Sequence, residues 1–104
     1  MDEDELDELP PLPEGALVRR LPILNMRGLH ARASAKFVQT VDRFEAEVTV
    51  TRAGETVGGR SIMGLLTLGA AIGTTIVVTA KGHDAEACLD AIAALIADKF
   101  GESE

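Results

Sequence analysis

The chain has 104 residues, 46% of them hydrophobic, so it can bury one largely aliphatic core but is short for two domains. One cysteine, Cys88, excludes an intramolecular disulfide and a cysteine-rich metal site, and no apolar run approaches the roughly 20 residues of a membrane helix. The whole net charge of −7 falls within residues 1–14, so the rest of the chain lacks the basic excess that nucleic-acid binding requires.

The first 15 residues differ in composition from the rest of the chain. They read MDEDELDELPPLPEG, which is acidic, rich in proline and without an apolar period. We predict a disordered leader at residues 1–15 and a folded domain at residues 16–104. The leader is interpreted as a solubilising extension, with an electrostatic modifier of partner binding as the alternative. The sequence shows no secretory signal and no disulfide framework, so we expect a cytoplasmic protein with no membrane insertion.

The first half of the folded domain alternates between strand and helix patterns. We predict, in order, a strand over ALVRRLPIL, a loop over NMRGLH, a helix over ARASAKFVQTV and a strand over AEVTVTR. Pro22 marks an edge strand or a strand end, because proline cannot donate a hydrogen bond to a sheet. In the helix, the apolar residues at helical spacing are Ala35, Val38 and either Phe37 or Val41.

The second half continues the alternation. We predict a turn at Ala53 and Gly54, a return strand ETVGG, a short helix within SIMGLLTLGA, a strand over TTIVVTAKG and a last helix. Ser61 is expected to cap the short helix and Gly69 to end it, whereas Asp84 is expected to cap the last helix. The predicted apolar stripe of the last helix comprises Leu89, Ile92, Ala93, Ile96 and Phe100.

The predicted order of elements is β-α-β-β-α-β-α. Two βα units that enclose a hairpin indicate the α+β class, with a four-stranded antiparallel sheet and three helices on one of its faces. Layouts of this kind carry unrelated functions, so function has to be argued from the side chains.

His30 is the strongest candidate for chemistry, because it lies where a loop ends and a helix begins. The first backbone N–H groups of that helix lack carbonyl partners and, with the helix dipole, form an anion site; they belong to Ala31, Arg32 and Ala33. Arg32 adds a guanidinium whose geometry suits phosphate. On these grounds alone His30 is equally well explained as a structural capping residue.

Two motifs resemble segments of the HPr family of phosphocarrier proteins. Residues 28–37, GLHARASAKF, resemble the active-site motif GLHARPAAxF. Residues 60–70, RSIMGLLTLGA, resemble KSIMGVMSLG, the segment around the regulatory serine in bacteria that have an HPr kinase. The motifs occur in the family's order, and the predicted elements agree with the HPr-like open-faced β-sandwich over residues 16–100 or so.

The resemblance implies a stoichiometric phosphocarrier, rather than a turnover enzyme, with neither cofactor nor metal. Enzyme I would phosphorylate Nδ1 of His30 at the expense of phosphoenolpyruvate. The group would then pass to a histidine of an enzyme IIA-type protein, for sugar uptake or for nitrogen or carbon regulation. Arg32 would steady the phosphoryl group, and an HPr kinase/phosphorylase would modify Ser61.

The resemblance also implies a docking patch beside His30. We assign to it Arg27, Arg60, Ile62, Met63 and Leu66. Met and Ile suit a surface that must fit several partners, although one of Ile62 and Met63 is expected to face the core.

The chain departs from the family pattern at two positions. Ala33 stands where the family usually has proline, and Ser34 where it usually has alanine. Ala33 restores a backbone donor and loosens the first helical turn. Neither change removes a reacting group, but both leave the phosphate geometry and the choice of partner open.

Other classes of protein compete with this interpretation. An HPr-like regulatory module would act by protein–protein contact without phosphotransfer, and the presence of His30 argues against it. A small phosphatase would need more convergent polar groups than one histidine and one arginine. A metallochaperone is excluded by the lone Cys88. The second histidine, His83, lies in a turn without a partner motif and is interpreted as a surface residue.

Overall fold

The computed structural model describes residues 12–103. Its strands are β1 (Leu17–Pro22), β2 (Glu47–Arg52), β3 (Glu55–Gly58) and β4 (Thr75–Lys81). Its helices are α1 (Ala31–Val41), α2 (Ile62–Thr67) and α3 (Ala85–Ala97), followed by a 3₁₀ turn (Lys99–Gly101). The predicted βαββαβα order is therefore confirmed. Most of the predicted leader, residues 1–11, lies outside the described residues, and residues 12–15 are exposed.

The four strands form one antiparallel sheet in the order β1-β4-β2-β3. Val48 lies opposite Ala80 and Val50 opposite Val78, so these four buried side chains share the face that the helices cover. β1 is an edge strand and Pro22 is its last residue, which agrees with both readings of that proline.

The core is aliphatic except for two phenylalanines. The sequence left open whether Phe37 or Val41 of α1 belongs to the apolar face, and both side chains are fully buried. Their spacing of four residues places them one above the other on the face that meets the sheet. From α3, Leu89, Ile92 and Ile96 complete the packing, as the periodicity predicted.

Two expectations about the last helix were wrong. Asp84 occupies the position before α3, yet its carboxylate does not cap the helix and instead accepts a hydrogen bond from the amide of Glu45 at 2.8 Å. Phe100 is not part of the helical stripe, because α3 ends at Ala97 and Phe100 adopts a left-handed backbone with φ of 57°. It is nevertheless buried, because the chain turns back and inserts the ring into the core.

No described helix is long and apolar enough to span a membrane. Within residues 12–103, acidic, histidine and cysteine side chains form no group of three that could hold a metal ion. The lone Cys88 is buried on α3, and this burial raises the pKa of its thiol.

Candidate functional site

His30 is the N-cap residue of α1. Its backbone is extended, with φ of −74° and ψ of −179°, and its carbonyl accepts the first helical hydrogen bond from the amide of Ser34 at 2.8 Å. The ring nitrogen Nδ1 accepts from the amides of Arg32 at 3.2 Å and Ala33 at 3.4 Å. The sequence prediction placed three amides here, and the structure directs two of them at the ring. About a quarter of the side chain, 24%, remains exposed to solvent.

The loop before His30 is held in place by a close backbone contact. Gly28 has φ of +67°, and a Cβ atom at this position would lie 2.4 Å from the carbonyl oxygen of Ala70. The next amide, that of Leu29, donates to the same oxygen at 2.9 Å, and the Leu29 side chain is buried. Only glycine combines this backbone angle with this approach, so the loop meets the segment after α2 in one arrangement.

Glu102 completes the site from the other end of the chain. Its carboxylate oxygen Oε2 lies 2.6 Å from Nε2 of His30. Sequence reasoning missed this residue, because 72 positions separate it from His30 and an acid near a chain end carries no motif. The sequence feature that comes closest to indicating this contact is Gly101, because glycine is common where a chain reverses direction after a helix.

A turn after α3 brings Glu102 to the ring. Lys99, Phe100 and Gly101 all have positive φ, of 54°, 57° and 78°. Such angles are unfavourable for residues that carry a Cβ atom. The buried Phe100 side chain and a 2.5 Å hydrogen bond from Lys36 Nζ to the Phe100 carbonyl hold the turn in place.

Asn25 lies beneath this contact and is fully buried. Its Nδ2 donates to the carbonyl oxygen of Gly28 at 2.8 Å and to the Glu102 carboxylate at 3.2 and 3.3 Å. One buried amide therefore joins the loop before His30 to the acid that contacts the ring.

The site is bordered by unpaired positive charge. Arg27 and Arg32 are exposed, and neither makes an ion pair or a side-chain hydrogen bond with residues 12–103. They line an open cleft of about 190 Å³ together with His30, Glu102 and Ser103. The hydrogen bond from His30 lowers the pKa of the Glu102 carboxyl; partial desolvation opposes this, and Asn25 and Arg27 reinforce it.

The partners of the ring define its tautomer. Nδ1 faces two N–H donors and therefore presents its lone pair, while Nε2 faces a carboxylate and therefore carries the hydrogen. The arrangement leaves an unprotonated nitrogen at a helix N-terminus, beside two guanidinium groups that pair with no acid among residues 12–103. This is the chemistry of a nucleophile whose product is an anion.

The predicted regulatory serine and docking residues lie around α2. Ser61 is the N-cap of α2, where its Oγ accepts from the amide of Gly64 at 2.9 Å. Ile62 and Met63 are 39% and 71% exposed, so the expectation that one of them faces the core was wrong. Leu65 is the inward residue of this helix, because it is fully buried. Leu66 is half-buried.

Arg60 is engaged by the fold itself. Its guanidinium donates to the carbonyl oxygens of Val41, Phe44 and Ala46 at 2.9 to 3.3 Å and pairs with Asp42 at 3.0 Å. These bonds secure the segment that leads from α1 to β2, and they use four of the five N–H groups of the guanidinium. His83, by contrast, is an exposed surface residue, as expected from its sequence setting.

Comparison with known proteins decides the family. A family model described as "PTS HPr component phosphorylation site" matches residues 17–98. The chain belongs to the HPr family. The phosphocarrier protein HPr of Cupriavidus necator is 46% identical over 88 residues, covering 85% of this chain and 99% of that protein. The phosphocarrier protein NPr of Shewanella violacea is 42% identical over 87 residues, covering 84% of this chain and 96% of that protein.

Solved structures agree with this assignment. The crystal structure of HPr-C-His from Thermoanaerobacter tengcongensis superimposes with a TM-score of 0.81 at 38% identity, covering 85% of this chain and 99% of that one. The HPr-like fold expected from the sequence is therefore confirmed, and membership of the family supports a phosphocarrier role.

The departure from the HPr pattern at Ala33 has a structural consequence. The amide of Ala33 is one of the two donors to His30 Nδ1, and proline at this position would have no such N–H. This chain therefore offers the ring one backbone hydrogen bond more than the usual family motif allows.

Proposed function

We propose that His30 accepts a phosphoryl group on Nδ1 from enzyme I, which derives it from phosphoenolpyruvate, and passes it to an enzyme IIA-type protein. The observation that carries this proposal is the Nδ1 lone pair facing the amides of Arg32 and Ala33 at a helix N-terminus. Membership of the HPr family and the exposed Arg32 guanidinium support it.

The transfer step uses groups already in place. Nδ1 attacks phosphorus, the bond between phosphorus and the donor atom of enzyme I breaks, and its electron pair leaves with that donor atom. The phosphoryl oxygens then take the two amide hydrogen bonds that Nδ1 gives up, and the Arg32 guanidinium neutralises part of their charge. The step therefore depends mainly on placing two partners in line.

A carrier must also release its group. A deep, cation-rich pocket would stabilise the phosphorylated state and slow the second transfer. Here the ring lies in an open cleft, and Arg27 and Arg32 are solvated at its border. Such a site favours exchange of the phosphoryl group over its retention.

The proposal extends to partners and regulation. Ile62 and Met63 present apolar surface to which enzyme I and the enzyme IIA-type protein would bind, with Leu66 at its edge and Arg27 beside the cleft. Ser61 would be modified by an HPr kinase/phosphorylase, since its side chain is exposed at the start of α2. The carrier would act in the cytoplasm, in sugar uptake or in a nitrogen-related branch; similarity to proteins named HPr and NPr is compatible with both.

The test is phosphorylation of the purified chain by enzyme I and phosphoenolpyruvate. We expect one acid-labile phosphoryl group on the unmodified chain, none on His30→Ala and full labelling of His83→Ala, the exposed control histidine. Failure of the unmodified chain to accept phosphate, while it still binds its partners, would instead indicate a regulatory binding module. Labelling of His30→Ala would show that the acceptor is another residue.

A further inference from the structure

Asn25 and His30, from one loop, are joined by Glu102 of the C-terminal segment into a continuous series of hydrogen bonds. Asn25 Nδ2 contacts the Glu102 carboxylate at 3.2 and 3.3 Å, and Glu102 Oε2 contacts His30 Nε2 at 2.6 Å. The phosphoryl group proposed above joins the opposite side of the ring, at Nδ1. Asn25 and Glu102 therefore lie on the Nε2 side of the ring, away from the reacting Nδ1, and need no contact with phosphate.

The orientation of the Asn25 side-chain amide is set by its two hydrogen-bond acceptors. Both partners of Asn25 Nδ2, the Gly28 carbonyl oxygen and the Glu102 carboxylate, are acceptors, so a flipped amide would bring oxygen against oxygen. Asn25 is fully buried, and its Oδ1 has no partner among residues 12–103. The burial of an amide with one unpaired oxygen is unfavourable, which is typical of a side chain kept for its donor groups.

We propose that Asn25 and Glu102 are positioning residues that keep a proton on His30 Nε2 both before and after phosphoryl transfer. The inference rests on the proposed function, and it assigns to the C-terminal segment a part in the transfer step.

The reason lies in the charge of the ring during transfer. When Nδ1 forms its bond to phosphorus, the hydrogen stays on Nε2, so the imidazole ring becomes positively charged. A carboxylate 2.6 Å from Nε2 stabilises that charge. In the second transfer the same protonated ring is the better leaving group, because it departs as a neutral imidazole with the electron pair of the broken N–P bond on Nδ1.

The surrounding charges are consistent with this role. Among residues 12–103, the charged side chains that line the cleft with the ring are Glu102 from the C-terminal segment, Arg27 from the preceding loop and Arg32 from α1. Lys36 of α1 is directed at the Phe100 carbonyl. The contact with His30 lowers the pKa of the Glu102 carboxyl, so Glu102 is ionised at neutral pH.

The test compares Glu102→Gln with Glu86→Gln, an exposed acid on α3 whose substitution makes the same change in net charge. Each phosphorylated variant is mixed with an enzyme IIA-type acceptor from roughly pH 6 to pH 9. Because Glu102 Oε2 contacts Nε2 and stabilises the protonated ring, Glu102→Gln should transfer its phosphoryl group more slowly than the unmodified chain, and the difference should grow toward alkaline pH. The deficit should be about tenfold at the alkaline end, and Glu86→Gln should show none.

Asn25→Ala tests the second member of the pair. This variant keeps the Glu102 carboxylate but removes the amide that holds it in place. We therefore expect a loss of transfer rate in the same direction as for Glu102→Gln, but smaller. The dispersion of its amide NMR spectrum checks that it folds. Nitrogen-15 shifts of the ring provide a readout independent of transfer: the unmodified chain should show the Nε2–H tautomer, and Glu102→Ala should show a smaller fraction of it, because only the hydrogen bonds to Nδ1 then favour that tautomer.

The two proposals fail in different ways. If the unmodified chain accepts no phosphate, the proposed function is wrong. If it accepts phosphate and Glu102→Gln follows the same rate profile as Glu86→Gln, the role of Asn25 and Glu102 is wrong, and the Glu102 contact only holds the C-terminal turn in place.

Discussion

At the scale of single residues, the site depends on where a few backbone atoms lie. The His30 ring can accept from two amides because the loop before it ends in an extended residue at the start of α1. Gly28 sets the course of that loop, since its left-handed backbone and missing Cβ allow the Ala70 carbonyl to approach. The proposed nucleophile is thus oriented by a glycine that has no side chain to take part in the chemistry.

Replacing Gly28 by alanine should therefore damage stability and transfer together. Gly69→Ala is the matched control, because Gly69 also has a positive φ, +60°, but a Cβ there would meet nothing within 4 Å. We expect Gly69→Ala to cost about 1 kcal/mol from backbone strain alone. Gly28→Ala should cost about 2 kcal/mol more, because the loop must move away from Ala70. Urea denaturation measures both losses, and equal values for the two variants would contradict the argument.

At the scale of elements, two helix N-termini carry the proposed phosphate chemistry. α1 begins beside His30, and α2 begins at Ser61. Arg60, one residue before Ser61, is held by four hydrogen bonds to the segment after α1. This connection keeps the start of α2 fixed relative to α1, so charge placed at Ser61 should act on the shared docking surface without moving it.

Ser61→Asp should weaken phosphoryl acceptance from enzyme I and leave the melting curve nearly unchanged. Aspartate is a good N-cap and its charge suits a helix N-terminus, so it should not destabilise the domain. Its negative charge lies next to Ile62 and Met63, where the partner is proposed to bind. Ala87→Asp, an exposed change in the first turn of α3, controls for charge at a helix start. Equal acceptance rates for both variants would defeat the prediction.

At the scale of the whole molecule, stability resides in the core between the sheet and its helices. Among the described residues, the buried core begins at Ile23 and ends at Phe100. The last of these joins the core to the site, because its insertion reverses the chain and places Glu102 beside His30. Packing and the candidate site are thus connected at the C-terminal turn.

Deleting residues 1–14 should leave the melting temperature unchanged. The described part of that segment is exposed, and the first strand begins only at Leu17. Calorimetry of the shortened chain beside the full one provides the measurement. A large drop in melting temperature would show that the leader packs against the domain.

The sequence by itself determined the order of the elements and singled out His30 as the candidate nucleophile. Periodicity and capping residues are local properties, so α1, the Ser61 cap and the end of α2 near Gly69 could be predicted from neighbouring residues. The position of His30 before a helix likewise predicted an anion site, although only the motif distinguished it from a structural cap.

Tertiary structure decided what lies behind the ring. Glu102 reaches His30 only because Phe100 inserts into the core and three successive residues take positive φ, and Asn25 meets Glu102 only through that reversal. Long-range contacts also explain the two wrong expectations about the last helix. Phe100 leaves the helical pattern to enter the core, and the Asp84 carboxylate binds the amide of Glu45 rather than capping α3. These contacts join residues far apart in the chain, and local pattern carries no information about partners that only folding brings together.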